Sequence, residues 1–203
     1  MRDYYEELWA ALPDRLVPPD LDRRSGFLLE HLRPGLRVLD LGCGDGVFAE
    51  LMLEHVPLAL TLADVADAAL VRARARPRLA GAEVTMLRVP FDGDLPLADA
   101  AFDLVWASEV IEHVADTGHW LSEVRRVLAP GGELLLSTPN HTRLRLALAG
   151  IEALSPPLGD HLHLYDRRGL RRLLDEFAFT AVNVRASGRL GPLSRLLLAS
   201  ARR

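Results

Sequence analysis

The 203-residue chain contains no lysine, so all 24 basic residues are arginine. With Ala and Leu so abundant, that absence reflects the coding bias of a GC-rich genome and not a function. A single cysteine, Cys43, excludes an internal disulfide and suits a reducing cytoplasm. No apolar run approaches the roughly 20 residues of a membrane span. Positive charge is outnumbered, 28 acidic residues against 24 basic, and a net charge of −4 gives no general pull toward nucleic acid. The segment Met1-Arg2-Asp3-Tyr4-Tyr5-Glu6-Glu7 is acidic and aromatic, unlike a secretory signal. The chain is 49% hydrophobic and 26% charged, the balance of a soluble globular protein, and its length suits one domain with a full core.

Apolar runs alternate with amphipathic stretches. Helices are predicted over 3–12 and 20–32, split by Pro13 and Pro18-Pro19. Strands follow at Leu36–Leu41, Leu58–Ala63, Glu83–Val89, Phe102–Ala107 and Glu133–Ser137. Helices at Val47–His55, Asp67–Arg76 and Thr117–Leu128 lie between them; Pro77 stops the second and Ala129-Pro130-Gly131-Gly132 the third. This βα rhythm implies a parallel, doubly wound α/β sheet. After Thr138-Pro139-Asn140 it breaks. Leu144–Leu154 is amphipathic, Ser155-Pro156-Pro157 and a His-rich segment follow, and Arg167–Phe177 is a helix. Thr180–Ala186 and Arg195–Ser200 are the last strands, joined through Gly188, Gly191 and Pro192.

The most telling stretch is Val38-Leu39-Asp40-Leu41-Gly42-Cys43-Gly44-Asp45-Gly46, a strand, a tight glycine turn and the start of a helix. Glycines there allow positive φ and close approach of a ligand to the main chain. The turn stands at the carboxyl end of a strand, where open α/β sheets bind ligands. A dinucleotide fold would show G-x-G-x-x-G. Here the glycines alternate, and Asp40 would repel a pyrophosphate but suit a ligand carrying an ammonium group. Asp64 closes the second strand about twenty residues after the turn, where a carboxylate can accept hydrogen bonds from ribose hydroxyls; a helix cap is the structural alternative.

The turn resembles motif I, D/E-x-G-x-G-x-G, of the class I S-adenosylmethionine (SAM)-dependent methyltransferases. Phe91-Asp92-Gly93-Asp94-Leu95-Pro96-Leu97 with Phe102-Asp103-Leu104-Val105 resembles the family's D-x-x-x-L-P-F … F-D-x-V stretch. Glu109-Val110-Ile111-Glu112-His113-Val114 resembles its motif IV region, and Leu121–Ser137 its E-x-x-R-V-L-x-P-G-G-x-L segment. These ordered landmarks span about residues 26 to 140. The resemblance implies a seven-stranded, mostly parallel sheet with the last strand antiparallel. It implies SAM as cofactor, S-adenosylhomocysteine (SAH) as product, and a site built from Asp40, Gly42, Cys43, Gly44, Asp64, Val65, Phe91, Asp92 and Ser108. Cys43 is expected to contribute small size and backbone. Asp92 and Asp94 compete for the adenine, with Asp92 favoured.

Methyl transfer to a hydroxyl or amine benefits from a general base. The candidates are His113 and His161, with His163, Glu109 and Glu112 behind them and Tyr165 as an orienter. His161 and His163 alternate on an extended segment. No metal site is expected, because neither His113/His119 nor His161/His163 has the spacing of H-E-x-x-H or a Cys/His cluster. Trp106-Ala107-Ser108-Glu109 lacks the (N/D)-P-P-(Y/F) of adenine and glutamine amino-methyltransferases, so a small-molecule acceptor is expected rather than nucleic acid. The expected organisation of residues 1–203 is one methyltransferase domain. Residues 1–32 form a helical cap bearing Tyr4, Tyr5 and Trp9, 33–140 a cofactor core, 141–165 an acceptor lid, and 166–203 the closing helix and strands. An NAD-dependent oxidoreductase and a SAM-binding regulatory protein without turnover are the alternatives. The acceptor, the atom methylated and the oligomeric state are not legible.

Overall fold

The computed structural model describes residues 2–13, 17–150, 161–188 and 194–203. Two helices, α1 (Arg2–Ala11) and α2 (Leu21–Leu29), lead into β1 (Arg37–Leu41), α3 (Val47–His55), β2 (Ala59–Asp64), α4 (Asp67–Arg74), α5 (Pro77–Ala80), β3 (Thr85–Arg88) and β4 (Phe102–Ser108). Next come α6 (Thr117–Val127), β5 (Leu128–Pro139), α7 (Arg143–Ala149), α8 (Arg167–Glu176), β6 (Thr180–Ser187) and β7 (Leu196–Arg202). The strands form one sheet in the order β3-β2-β1-β4-β5-β7-β6. The first five are parallel, and β7 runs antiparallel to both β5 and β6. The order reverses between β1 and β4, the switch point where such sheets bind ligands.

Both faces of the sheet are covered, which is why its central strands read as continuous apolar runs. Strand parity assigns each side chain. Leu39 and Leu41 of β1, Val105 and Ala107 of β4, and Leu134 and Leu136 of β5 pack toward α6 and α8. Val38, Leu104, Trp106 and Leu135 pack toward α2, α3 and α5 on the other face. Helix α8 shows the matching logic: Leu170 and Leu174 are buried, whereas Arg168, Arg171 and Arg172 are exposed.

Three boundaries differ from the sequence reading. Pro77 does not simply end a helix; it stands at N1 of α5, where its missing N–H is harmless. The Ala129-Pro130-Gly131-Gly132 segment, expected as a helix stop, lies inside β5, which begins as soon as α6 ends. The pairing with β4 shifts there, so that four residues of β5 are passed between its contacts to Phe102 and Leu104. The helix expected over 20–32 ends at Leu29. Of the amphipathic stretch Leu144–Leu154, α7 accounts for residues up to Ala149. Ile151, Ser155-Pro156-Pro157, Asp160, Gly191 and Pro192 lie outside the described residues.

Candidate active site

Gly42, Gly44 and Gly46 all have positive φ. A Cβ on Gly42 would lie 2.5 Å from Val110 Cγ2, and one on Gly44 would lie 2.7 Å from the Trp9 ring. Conformation and space therefore both require glycine at these two positions. Asp64 holds the turn against β2: its Oδ2 accepts from Gly44 N at 2.9 Å and its Oδ1 from Ala66 N at 3.0 Å. It is thus a clamp on the glycine turn and not a helix cap, the N-cap position of α4 being Ala66. Asp40 is 2% exposed, and its Oδ2 has no hydrogen-bond partner. Burial, with Asp64 and Asp45 nearby, pushes its carboxyl up to about 8.

A cavity of about 270 Å³ opens over the carboxyl ends of β1, β2 and β4. Gly42, Asp64, Val65, Phe91 and Asp92 line one part; Glu109, Val110 and His113 line another. Helix α1 borders it with Tyr5, Leu8 and Trp9. Glu6 fastens α1 by accepting from Asp67 N (2.7 Å) and Ala68 N (2.9 Å) at the start of α4. Arg72 adds bonds to the carbonyls of Trp9, Leu12 and Pro13. Tyr5 stacks on Phe91 at 6.0 Å and meets the His113 ring edge-on at 6.2 Å. Asp92 lines the cavity; Asp94 does not, and pairs with His119 at 3.2 Å. Asp40, Cys43, Gly44, Ser108 and His161, expected in the site, are not among the lining residues. Cys43 is buried in the α2/α3 core, and Trp9 lies over Gly44.

Ser108 is displaced by parity. It shares a face with Leu104 and Trp106, the α2 side of the sheet. There Arg24 Nη1 donates to Ser108 Oγ at 2.9 Å. Ser108 Oγ lies 2.9 Å from Ser137 Oγ, which donates to Glu109 Oε1 at 2.8 Å. A line of hydrogen bonds thus runs from a buried guanidinium to a carboxylate at the cavity wall. Burial raises the Glu109 carboxyl above its ordinary value, and Arg24 acts in opposition. Glu109 also has φ +55, a conformation seldom adopted by a side chain of its size. Neither Arg24 nor Ser137 was singled out from the sequence. A signal existed: Arg24 stands three and four residues before Phe27 and Leu28, on the buried face of α2.

The histidines pair differently from their spacing in the chain. Leu162 N and His163 N donate to Glu112 O, and His141 N donates to Tyr165 O. This strapping brings the His161 ring to 4.9 Å from His113 and 6.3 Å from His141. His163 Nε2 instead bonds Val114 O at 2.9 Å, a structural role. Glu112 is fully buried and its Oε2 accepts from Thr138 Oγ1 at 2.9 Å. One donor atom each from Glu112, His113 and His161 lies within 4.8 Å of the others. Tyr165 is buried, which raises its hydroxyl, and its OH lies 3.4 Å from Thr117 Oγ1.

A family model described as a methyltransferase domain matches residues 1–184. The chain belongs to the methyltransferase family. Its sheet order and antiparallel β7 are those of the class I SAM-dependent enzymes, and SAM is the cofactor. The methyltransferase is 38% identical over 121 residues to a ubiquinone biosynthesis O-methyltransferase of Caulobacter sp. (strain K31), covering 59% of this chain and 47% of that one. It is 37% identical over 116 residues to the 27-O-demethylrifamycin SV methyltransferase of Amycolatopsis mediterranei, covering 57% and 42%. The chain thus spans less than half the length of these two relatives. Among solved structures, a SAM-dependent methyltransferase from Aquifex aeolicus superposes with TM-score 0.71 at 19% identity, covering 100% of this chain and 98% of that one. At that identity the likeness establishes the fold. Among the described residues, no helix is long and apolar enough to cross a membrane.

Proposed function

We propose that this methyltransferase moves a methyl group from SAM to an oxygen or nitrogen of a small-molecule acceptor and releases SAH. The observation that carries the reading is the shared cavity. Its glycine-turn part and its His113 part meet beneath α1, so a cofactor and an acceptor can lie side by side. The residues fit SAM in one telling respect: the partnerless Oδ2 of buried Asp40, directly before the turn, suits a cationic ligand. When bound, SAM supplies an electrophilic methyl on a sulfonium for in-line displacement.

The chain's own residues then divide the work. Gly42 and Gly44 let the ligand approach the backbone, Cys43 and Ser108 contribute through main chain, and Asp64 and Val65 receive the ribose end. Phe91 and Asp92 border the adenine. Helix α1 excludes water and aligns the reactants. His113 or His161 holds the acceptor's proton at an imidazole nitrogen. The two relatives named above are O-methyltransferases, which supports an oxygen acceptor. Residues 141–165 serve as the acceptor lid: Leu144 and Leu148 of α7 are exposed, the latter at 72%. The reading places the protein in the cytoplasm and assigns no nucleic-acid substrate.

Calorimetric titration with SAM, SAH and NADH tests the cofactor half, and an acceptor screen with SAH detection tests the other. Micromolar binding of SAM and SAH but not NADH, followed by acceptor-dependent SAH release, is expected. SAM binding with no SAH release from any acceptor would instead favour a regulatory SAM-binding role.

A further inference from the structure

We propose that Glu112, His113 and His161 form a divalent-cation site at the acceptor side of the cavity. Two imidazoles and one carboxylate, with one donor atom each, converge within 4.8 Å. Glu112 Oε1 stands 3.8 Å from His113 Nε2. The other oxygen, Oε2, is held by Thr138, which fixes the carboxylate's orientation as outer-shell partners of metal ligands do. A formed tetrahedral site with bonds of about 2.0–2.2 Å holds its donors about 3.4 Å apart, so side-chain movements of about 1 Å complete it.

Three further observations point the same way. Glu112 is fully buried, and a bound cation would add to the compensation that Arg24 gives its carboxylate. The second carboxylate, Glu109, lies close enough to His161 to interact with it electrostatically, which adds negative potential around the cluster. The two segments are held together by backbone, since Leu162 N and His163 N, directly after His161, both bond to Glu112 O. Three protein ligands leave positions for water or an acceptor oxygen, the arrangement of catalytic and not structural sites. Mixed imidazole and carboxylate donors select zinc, iron, cobalt or manganese over magnesium or calcium. His113 lines the cavity, so a cation on it faces the space the acceptor enters.

The inference deepens the methyl-transfer reading and rests on it for the acceptor's chemistry. A cation held there favours an acceptor that offers oxygen over one that offers an amine.

The test is a titration of untagged, chelator-stripped full chain with Co²⁺, read by visible d–d absorption, and with Zn²⁺, read by calorimetry. SAM binding is measured calorimetrically on the same samples. One cation per chain is expected. His161→Ala should weaken it at least about tenfold while SAM binding and the circular-dichroism spectrum stay unchanged. His55→Ala, far from the cluster, should bind like the parent. Lack of saturable one-to-one binding by the parent, or equal binding by His161→Ala, overturns the site. Metal binding without SAM binding would leave the cation site standing and overturn the methyl-transfer reading; SAM binding without metal binding would do the reverse.

Discussion

The two parts of the cavity are built in different ways. The glycine-turn part is lined by short, contiguous stretches at strand ends: Leu41-Gly42, Asp64-Val65, and Phe91-Asp92. The His113 part is lined by Tyr5 of α1 and by Glu109, Val110 and His113 after β4, with Arg24 of α2 and His161 behind that wall. A turn whose glycines each have a local reason can be read from a line of text. A contact between residues 48 positions apart in the chain, His113 and His161, arises only when two segments are strapped together. The difference teaches that one part of the cavity is shaped by local backbone geometry and the other by long-range packing.

Substitutions should therefore separate the two halves. The largest effect is expected at Arg24→Met, which removes the buried cation that acts against the raised carboxyl of Glu109. Breaking a buried pair typically costs about 3–5 kcal/mol. Chemical denaturation of the variant should show a loss of that order; a loss under about 1 kcal/mol would mean that the Arg24–Ser108–Ser137–Glu109 line is not a coupled unit.

Asp64→Ala comes next. It removes two backbone bonds to a carboxylate, each worth about 1.5–3 kcal/mol, together with the proposed ribose contacts. SAM affinity should fall about a hundredfold or more, and a fall of less than about tenfold would remove Asp64 from the cofactor site. The double variant His113→Ala, His161→Ala is the mirror image. Turnover should drop by about a hundredfold, with SAM affinity within about twofold of the parent. Equal loss of both would erase the distinction between the halves.

The smallest effect is a pH dependence centred on Asp40. A carboxyl lifted to about 8 in the folded chain, against an ordinary 3.8, binds its proton more tightly when folded than when unfolded. Its contribution to stability therefore falls as pH rises from about 4 to about 8. A cationic ligand beside it favours the ionised form, so SAM affinity should increase by at most about tenfold per pH unit up to about pH 8. Asp40→Asn should flatten that profile, and an unchanged slope would place the ammonium elsewhere.

How far the site was legible follows the same division. Gly42, Gly44 and Asp64 stood out because a tight turn and a strand-end carboxylate need a residue type at a fixed spacing. The side-chain direction of Ser108 was not legible: its register beside Ser137 turns the hydroxyl toward Arg24 of α2. Alternation put His163 on the same face as His161, yet one bonds Val114 O and the other meets His113.

From the chain alone came the βα alternation, the glycine turn, the acidic strand end and hence the parallel sheet; the cofactor came from the resemblance that these landmarks carry. These depend on periodicity and on φ, which act over a few residues. Which histidines meet, which face Ser108 takes, and that Arg24 counters Glu109 depend on how distant segments pack. No local pattern encodes such contacts, because their free energy comes from burial and charge neutralisation between elements that are neighbours only in the folded state.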